Sequence, residues 1–357
     1  MNWLGKFPDP FLAEIAGQAE AIRRAAGSLE EQVPTLDALG EAAARGGGVV
    51  FTGMGSSYDA CYPAVNELAA RGVPALHVDA AELLHFRTNA LSSDTVLVVV
   101  SQSGESAEIV HLAASLNARP DPPLMTSLTN GLANELAERA DLRLDTRAGP
   151  ETGPSTMTFA ASMALLAAVA PILGGDTTAD ATARARTGAE RAAGAVEAFM
   201  EVGDATGSVL EDVVDGREIL AVLGRGSARA AAEMGALTLK ESGVMAESFA
   251  TASFRHGPFE LAGPDMAAII LSTEEQTRTL DLGLAAGLAS MGASVAVIGP
   301  GQEVLAGGAR IHLPGLDRLF SSTVGVVPLQ LLAWRLALRH GRAPGVYTRA
   351  SKVTTRE

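Results

Sequence analysis

One pattern of strand, glycine turn and helix occurs twice along this chain of 357 residues. The first copy begins with GGVVFTGMGSS and the second with EILAVLGRGSA, and in each an apolar strand runs into a glycine turn that opens a helix. Three pairs of equivalent residues are each separated by 171 positions: Gly53 and Gly224, Ser101 and Ser272, and Leu124 and Val295. A single offset over this length of chain indicates an internal duplication.

The alternation of strands and helices predicts the fold class. Short apolar runs such as TVLVVV and SVAVIG are typical of buried parallel strands, and helical patterns stand between them. We expect two tandem α/β domains, each a doubly wound parallel sheet with helices on both faces. The predicted boundaries are 1–36 for an N-terminal helical segment, 37–174 for the first domain, 175–204 for a helical connector, 205–340 for the second domain and 341–357 for a C-terminal tail.

The charge and the cysteine content limit the partners. The formal net charge is −14, and Cys61 is the one cysteine. We expect neither nucleic acid nor an anionic membrane as a partner, because no basic face is evident. A single cysteine cannot build a disulfide framework, so a reducing, cytoplasmic location is predicted.

Three further classes are not expected from the sequence. The six histidines lack the spacing typical of metal ligands, so we predict no metal site and no cofactor. The N-terminal residues lack a basic segment followed by an apolar run, which predicts no signal peptide. We expect no apolar stretch to reach membrane-spanning length, and MALLAAVAPIL at 163–173 is too short and predicts a buried helix.

The turn SQSGES joins a buried strand to a helix and carries more polar groups than a connection needs. In open parallel sheets, ligands bind beyond the carboxyl ends of the strands. A helix N-terminus offers unpaired N–H groups and the positive end of a dipole, which suit phosphate. Gly104 would let the backbone approach an anion closely. We therefore predict a phosphate site, in preference to an ordinary serine cap, and its donors would be Ser101, Gln102, Ser103 and Ser106.

The second copy has two carboxylates at the place equivalent to this turn. Its equivalent residues are Ser272, Thr273, Glu274 and Glu275. Because carboxylates repel phosphate, we expect one phosphate site per chain, in the first copy.

The other glycine turn of the first copy, GMGSSY, has two interpretations. It partly matches the dinucleotide pattern G-x-G-x-x-G, and Asp79 stands near the position of the acidic residue that binds ribose. The pattern needs glycine where the chain has Tyr58. The hydroxyl groups of Ser56 and Ser57 fit sugar or phosphate oxygens better.

Ionisable residues are concentrated in TLKESGVMAESFATASFRHGPFEL. Glu241 ends a predicted helix, Glu247 follows, and His256 precedes a Gly-Pro turn. A carboxylate and an imidazole suit proton transfer, one as base and the other as acid. A solvated carboxylate and a capping or packing histidine are the alternatives, and spacing alone leaves both open.

Together these motifs resemble the double sugar isomerase (SIS) domain proteins. SQSGES is the most specific match, and GPETGPSTMTF, GRGS, LKES, FRHGP, VPLQLLAW and the tail SKVTTRE occur in the family order. The similarity extends over nearly the whole chain. It includes the isomerase domain of glucosamine-6-phosphate synthase and, more closely, stand-alone sugar-phosphate isomerases, amino-sugar-phosphate deaminases and deglycases. The resemblance implies two flavodoxin-like SIS domains.

The resemblance also implies site residues. The sugar phosphate would be bound by Ser57, Ser101, Gln102, Ser103 and Ser106. Three further residues would be catalytic. Glu241 would move a proton between C1 and C2. His256 would open the sugar ring or act as a general acid, and it would serve the site of a neighbouring subunit, which implies a homodimer at least. Lys352 would lie in a tail that closes over the sugar, and the equivalent lysine of the synthase can form a Schiff base.

The chain departs from the synthase in three ways. A glutaminase domain is absent from the sequence, Thr238 stands where the synthase has a catalytic lysine, and Met157 replaces the lysine of the family's STK motif. We place Thr238 on the face of the site, one helical turn before Glu241.

The expected function is that of a phosphosugar isomerase or deaminase. Its substrate would be a hexose 6-phosphate or an amino-sugar 6-phosphate, and its steps ring opening and proton transfer between C1 and C2. A deglycase that cleaves a 6-phosphorylated fructosamine is one alternative, and a sugar-phosphate sensor without catalysis is another. The retained Glu241, His256 and Lys352 favour an enzyme, and Thr238 favours the sensor.

Overall fold

A computed structural model describes residues 9–301, 303, 305 and 307–356. The chain divides into two compact units. The first unit comprises Glu20–Glu151, Ser155–Glu190 and the residues from Thr348 onwards, and the second comprises the residues up to Ala19, Thr152–Pro154 and Arg191–Tyr347. Two of the division points, after Ala19 and after Glu190, fall inside helices, and the domain boundaries expected from the sequence stay predictions. The predicted C-terminal tail is likewise divided, and most of it belongs to the first unit.

The first unit contains a five-stranded parallel sheet. Its strands, in chain order, are β1 (Val49–Gly53), β2 (Ala75–Asp79), β3 (Val96–Val100), β4 (Leu124–Thr129) and β5 (Leu142–Asp145). Their order across the sheet is β2-β1-β3-β4-β5. Every residue of β1 and β3 is buried, because helices cover both faces of the sheet.

The described helices of the first half of the chain are α1 (Pro10–Ser28), α2 (Val33–Ala43), α3 (Ser56–Asp59), α4 (Tyr62–Ala70), α5 (Ala80–Glu82), α6 (Ala107–Asn117), α7 (Glu135–Arg139), α8 (Met157–Leu173) and α9 (Thr178–Glu201). All residues of α8 are buried, which confirms the buried helix predicted from MALLAAVAPIL. The core on one face of the sheet joins β1 and β3 to α6 through Val50, Leu97, Val99, Ile109 and Leu112.

The second unit repeats this topology. Its strands are β6 (Ile219–Gly224), β7 (Glu247–Ala250), β8 (Met266–Leu271), β9 (Ser294–Gly299) and β10 (Gly308–His312), in the order β10-β9-β8-β6-β7. Counted within each unit, both sheets therefore read 2-1-3-4-5, and all their strand pairs are parallel. The doubly wound fold class predicted from the sequence is confirmed.

The described helices of the second half are α10 (Gly203–Val214), α11 (Ala228–Glu241), α12 (Thr251–Phe254), α13 (Arg278–Ser290), α14 (Arg318–Gly325) and α15 (Val327–Arg339). The expectation that no apolar stretch reaches membrane-spanning length was wrong, because the segment Arg318–Arg339, which includes VPLQLLAW, is long and apolar enough by length and composition. It is 94% buried inside the protein, as a core helix is.

Candidate active site

The turns after β1 and β3 lie side by side at the carboxyl edge of the first sheet. A Cβ atom on Gly53 would lie 2.9 Å from the carbonyl oxygen of Val100, so the two strands end against each other. In the order 2-1-3-4-5, β1 and β3 flank the point where the chain direction across the sheet reverses. Ligands of open α/β sheets bind at this switch point. The structure thus brings both predicted phosphate-binding turns, GMGSS and SQSGES, to one edge.

The serine hydroxyl groups of the β3–α6 turn are held by the backbone. Ser101 Oγ accepts a hydrogen bond from the Gly104 N–H at 3.1 Å, and Ser103 Oγ accepts one from the Glu105 N–H at 3.1 Å. Each hydroxyl that accepts a backbone N–H still has its own O–H to donate. Ser101 is buried, whereas Gln102 and Ser103 are half-buried. The turn therefore carries oriented O–H donors, as an anion site requires.

The structure gives a steric reason for glycine at position 104, besides the approach to an anion that stays a prediction. Its φ is +67°, and a Cβ at this position would lie 1.9 Å from Oδ1 of Asn134. Asn134 caps α7 by accepting a hydrogen bond from the N–H of Ala137 at 2.9 Å. Glycine is thus required by a left-handed backbone and by the amide packed on it, within the protein itself.

Ser106 and the C-terminal tail meet at the start of α6. Ser106 is the N-cap residue, but its side chain makes no capping hydrogen bond, unlike an ordinary serine cap. The Ala107 N–H donates to the carbonyl oxygen of Thr354 at 3.0 Å. One of the helix N–H groups expected to face phosphate is therefore bound by the tail.

The β1–α3 turn places Ser56 and Ser57 in the first turn of α3, and both are half-buried. Asp79, which the dinucleotide interpretation assigned to ribose, caps α5 instead. Its Oδ1 accepts hydrogen bonds from Ala81 N at 2.9 Å and Glu82 N at 3.2 Å. The structure gives this carboxylate a structural role, which removes the acidic residue from the dinucleotide pattern.

In the second unit a carboxylate of the chain binds at the corresponding edge. Glu274 stands 171 positions after Ser103. Its Oε1 accepts a hydrogen bond from the N–H of Ser227 at 3.1 Å, in the glycine turn after β6. Glu274 was predicted to repel phosphate. In the structure its carboxylate also binds a backbone N–H of the glycine turn.

Next to Glu274, a buried ion pair closes the same turn. Arg225 Nε donates to Asp281 Oδ1 at 2.7 Å, and Ser272 Oγ donates to Asp281 Oδ2 at 3.2 Å. Burial raises the pKa of Asp281, and this effect exceeds the opposing effect of the Arg225 charge. These contacts satisfy both carboxylate oxygens of Asp281 from within the unit.

Glu241 is the last residue of α11 and is half-buried. Its Oε1 accepts a hydrogen bond from the hydroxyl of Tyr347 at 2.9 Å. Glu247, which the sequence analysis placed in a loop, is an exposed residue of β7 and forms an ion pair with Lys240 at 4.0 Å. Of these two carboxylates, Glu241 is the one held in a partly buried position.

Thr238 does not present a reactive group. It is 0% exposed, and its hydroxyl donates to the Met234 carbonyl at 2.9 Å, inside the same helix. The expected site-facing threonine is therefore engaged by its own backbone. Met157, the other residue that replaces a family lysine, is also buried, at the start of α8.

His256 is exposed, in the turn between α12 and Pro258. Its backbone N–H donates to the Ser253 carbonyl at 2.9 Å, and the next residue, Gly257, has a φ of +118°. Within the described part of the chain, no hydrogen bond of its ring is found. The structure thus presents this imidazole at the surface of the second unit.

Lys352 forms an ion pair with a buried carboxylate of its own unit. Its Nζ lies 2.8 Å from Oε2 of Glu151, and the side chains are 20% and 0% exposed, respectively. Glu151 also accepts from the N–H and hydroxyl groups of Thr156 and Thr158, at 2.6 to 3.1 Å. One carboxylate therefore orders the start of α8 and anchors the tail.

Replacing Glu151 with Gln should release the tail. The ion pair with Lys352 is lost, and the amide nitrogen cannot accept the hydrogen bonds that Glu151 accepts. Breaking such a pair costs about 3–5 kcal/mol, so we expect trypsin to cleave at Arg349 and Lys352 at least about 10-fold faster. Mass spectrometry of a digestion time course measures the cleavage rates.

Glu138→Gln, at an exposed carboxylate of the same unit, is the control for this prediction. Equal cleavage rates in the two variants would show that the ion pair does not hold the tail.

Sequence reasoning missed Glu151 and Tyr347. Glu151 lies in the quoted motif GPETGPSTMTF, and a single acidic residue followed closely by two threonines is the signal that could have identified it. Tyr347 lies outside every quoted motif, and its partner is 106 residues away.

Two doubly wound parallel units, one with a turn rich in hydroxyl groups at its switch point, define a class of duplicated α/β proteins. The sequence profile of the SIS domain matches residues 45–171 and 217–313. The chain belongs to the SIS domain family, as the resemblance predicted.

Similarity to known proteins covers the whole chain. The glutamine–fructose-6-phosphate aminotransferase (isomerizing) of Thermococcus kodakarensis is 27% identical over 98% of this chain, which spans 58% of that protein. The C-terminal domain of the glucosamine-fructose-6-phosphate aminotransferase of Francisella tularensis has a TM-score of 0.84 and 22% identity, with 95% of this chain and 98% of that one covered. The tagatose-6-phosphate ketose/aldose isomerase of Escherichia coli has a TM-score of 0.79 and 21% identity, with 96% of each chain covered.

Proposed function

We propose that this protein is an enzyme acting on a hexose 6-phosphate or an amino-sugar 6-phosphate, as an isomerase or a deaminase. The observation that carries the proposal is the β3–α6 turn at the switch point of the first sheet. There the hydroxyl groups of Ser101 and Ser103 accept backbone N–H groups and keep their O–H groups to donate. Relatives of this chain act on sugar phosphates, as their names state.

In this proposal the first unit binds the phosphate. The hydroxyl groups of the two turns and the amide of Gln102 donate to the phosphate oxygens, and the binding residues are Ser56, Ser57, Ser101, Gln102, Ser103 and Ser106. Neutral donors suit a chain with a net charge of −14, because they hold an anion without a basic surface.

The proposed chemistry is a proton transfer between neighbouring carbons. After ring opening, with His256 as the acid–base group, Glu241 removes the proton from one of C1 and C2 and returns it to the other through an enediol or enolamine. In the deaminase, the enolamine is protonated on carbon, and water then displaces ammonia from the resulting imine. Lys352 is proposed as a third catalytic group. A Schiff base with a ketose requires its neutral amine, so the ion pair with Glu151 must open first.

Deglycation of a 6-phosphorylated fructosamine is the second candidate, and it is compatible with Thr238, as deamination is. The synthase chemistry uses a lysine at this position, whereas here the residue is buried and its hydroxyl is bound within α11. A route that relies on Glu241 and His256 does not need the lysine. Both candidates share the same phosphate site and the same first proton transfer.

A panel of sugar phosphates tests the function and separates the candidates. Each compound is incubated with the protein, and ketose formation, ammonia release and amine release are measured. Isomerisation yields ketose alone, deamination yields ammonia, and deglycation yields the free amine. Tight binding of several sugar phosphates without turnover would refute the enzyme and support a sensor. No binding of any hexose 6-phosphate would refute the phosphate site.

We further propose a homodimer in which His256 serves the site of the neighbouring subunit. The exposed imidazole supports this, because a catalytic group at the surface of its own unit needs a partner surface. Light scattering should give the mass of two chains. Mixing Glu241→Gln with His256→Ala should restore about a quarter of the wild-type activity, since each mixed dimer holds one intact site. A monomer with full activity, or a dimer mixture with no recovery, would refute the shared site.

A further inference from the structure

Residues 342–347, which follow α15, are docked on the C-terminal end of α11. Arg342 Nη1 donates to the carbonyl oxygen of Ser242 at 3.0 Å. Gly243 has a φ of +80°, and a Cβ there would overlap the Arg342 guanidinium. An arginine against the last carbonyls of a helix is favourable, because the dipole places negative charge there. The charged side chain of Arg342 therefore caps the C-terminal end of α11, next to Glu241.

The same segment is fixed at a second point. Gly345 has a φ of +72°, and a Cβ at this residue would lie 2.6 Å from the Cβ of Phe11. The Val346 N–H donates to the Ala343 carbonyl at 3.3 Å, which closes a turn. Phe11 is fully buried in α1, so the turn rests on a rigid surface. Tyr347 follows this turn directly, so the contacts of Arg342 and Gly345 fix the chain that leads to it.

Tyr347 donates its hydroxyl to Oε1 of Glu241 at 2.9 Å, and both residues are half-buried. A carboxylate at the C-terminus of a helix is opposed by the helix dipole. A hydrogen bond donated to a charged oxygen is about twice as strong as a neutral one. The Tyr347 hydroxyl thus stabilises the Glu241 carboxylate, which the dipole of α11 opposes. It also fixes the position of Oε1.

The charges near Glu241 come from three elements. Arg342 reaches the end of α11 from the segment after α15, and Lys240 on α11 is paired with Glu247 on β7. The Tyr347 hydroxyl is a neutral donor to the carboxylate itself. Removing that hydroxyl therefore removes the hydrogen bond to Glu241 Oε1 and leaves these charged side chains unchanged.

We infer that Tyr347 is a positioning residue for the proposed base. It holds the Glu241 carboxylate charged and oriented for proton transfer. The inference rests on the proposed function for its catalytic consequence, but the hydrogen bond and its effect on Glu241 can be tested without a substrate.

Tyr347→Phe removes only the hydroxyl. On the best substrate of the panel, turnover should fall about 10- to 100-fold, the worth of a hydrogen bond to a charged group, with KM nearly unchanged. The acid limb of the pH–rate profile should move to higher pH, because the charged carboxylate loses a donor. In the Glu241→Gln variant, adding Tyr347→Phe should cause no further loss of turnover. Val346→Ala, at the exposed neighbouring residue, is the matched control.

A second measurement keeps this inference separate from the proposed function. In protein labelled with ¹³C at glutamate carboxyl groups, the NMR titration of Glu241 should move to higher pH in Tyr347→Phe and stay in place in Val346→Ala. An unmoved titration, or a pH–rate profile and turnover equal to wild type, would overturn the positioning role. If the titration moves but no sugar phosphate is turned over, the proposed function fails and the hydrogen bond stands.

Discussion

Replacing Ser103 with Asp should abolish the binding of hexose 6-phosphates. Ser103 is half-buried in the turn at the switch point, and its Oγ accepts the Glu105 N–H. An aspartate at this position can accept the same N–H, so the turn is kept. Its charge would face the phosphate, and like charges in contact cost several kcal/mol, which predicts about 100-fold weaker binding or more. Calorimetry with a hexose 6-phosphate measures this, and the free hexose should bind far more weakly than its phosphate to the wild-type protein.

Ser103→Asn is the matched control, because it has the shape of aspartate without the charge. We expect it to keep most of the affinity, and both variants should unfold at similar urea concentrations. Affinity that is unchanged in Ser103→Asp would remove this turn from the phosphate site. Equal losses in both variants would assign the effect to shape and contradict the electrostatic account.

Replacing Glu241 with Gln should lower turnover by about 10²–10⁴-fold, the usual contribution of a general base. Glutamine keeps the size of the side chain and can still accept the hydrogen bond from Tyr347. Binding of the phosphate should change little, because the proposed phosphate donors belong to the first unit and Glu241 belongs to the second. Steady-state kinetics on the best substrate, together with calorimetry, separates the two effects.

The control for this prediction is Glu247→Gln. Glu247 is a second carboxylate six residues further along the chain, but it is exposed on β7 and paired with Lys240. A surface ion pair of this kind contributes about 0–1 kcal/mol, so turnover should stay within a few-fold of wild type. Full turnover in Glu241→Gln would refute the assignment of the base.

The interior strands were predictable from the sequence, whereas most edge strands were not. VLVVV and MAAIIL form β3 and β8, because a strand between two neighbours needs apolar residues on both faces. The sequence analysis did not identify β5, β7 and β10, which are edge strands in the two sheets. LRLD, ESFA and GARIH contain few apolar residues, since an edge strand is only partly covered.

The site was predictable where its chemistry is local. The hydroxyl groups of SQSGES stand next to each other in the sequence, and a helix start after a buried strand gives them a role. The partners of Lys352 and Glu241 could not be predicted, because the Glu151 and Tyr347 contacts join residues 201 and 106 positions apart. Such pairs arise from the path of the tail, which leaves no pattern in the residues themselves. Gly104 was identified from the sequence, but its packing against Asn134 could not be predicted, because Asn134 is likewise distant in sequence.

Glu274 gives the two halves of the chain unequal responses to their surroundings. A carboxylate tethered beside its donor is present at a very high effective concentration, so the Ser227 N–H is saturated whatever anions the solution contains. The equivalent turn of the first unit has no such tethered group at Ser103 and depends on what diffuses in. Anything that binds the folded state stabilises it in proportion to its concentration. The second unit thus carries this stabilisation as a constant, whereas under the proposed function the stabilisation of the first unit rises and falls with the supply of sugar phosphate.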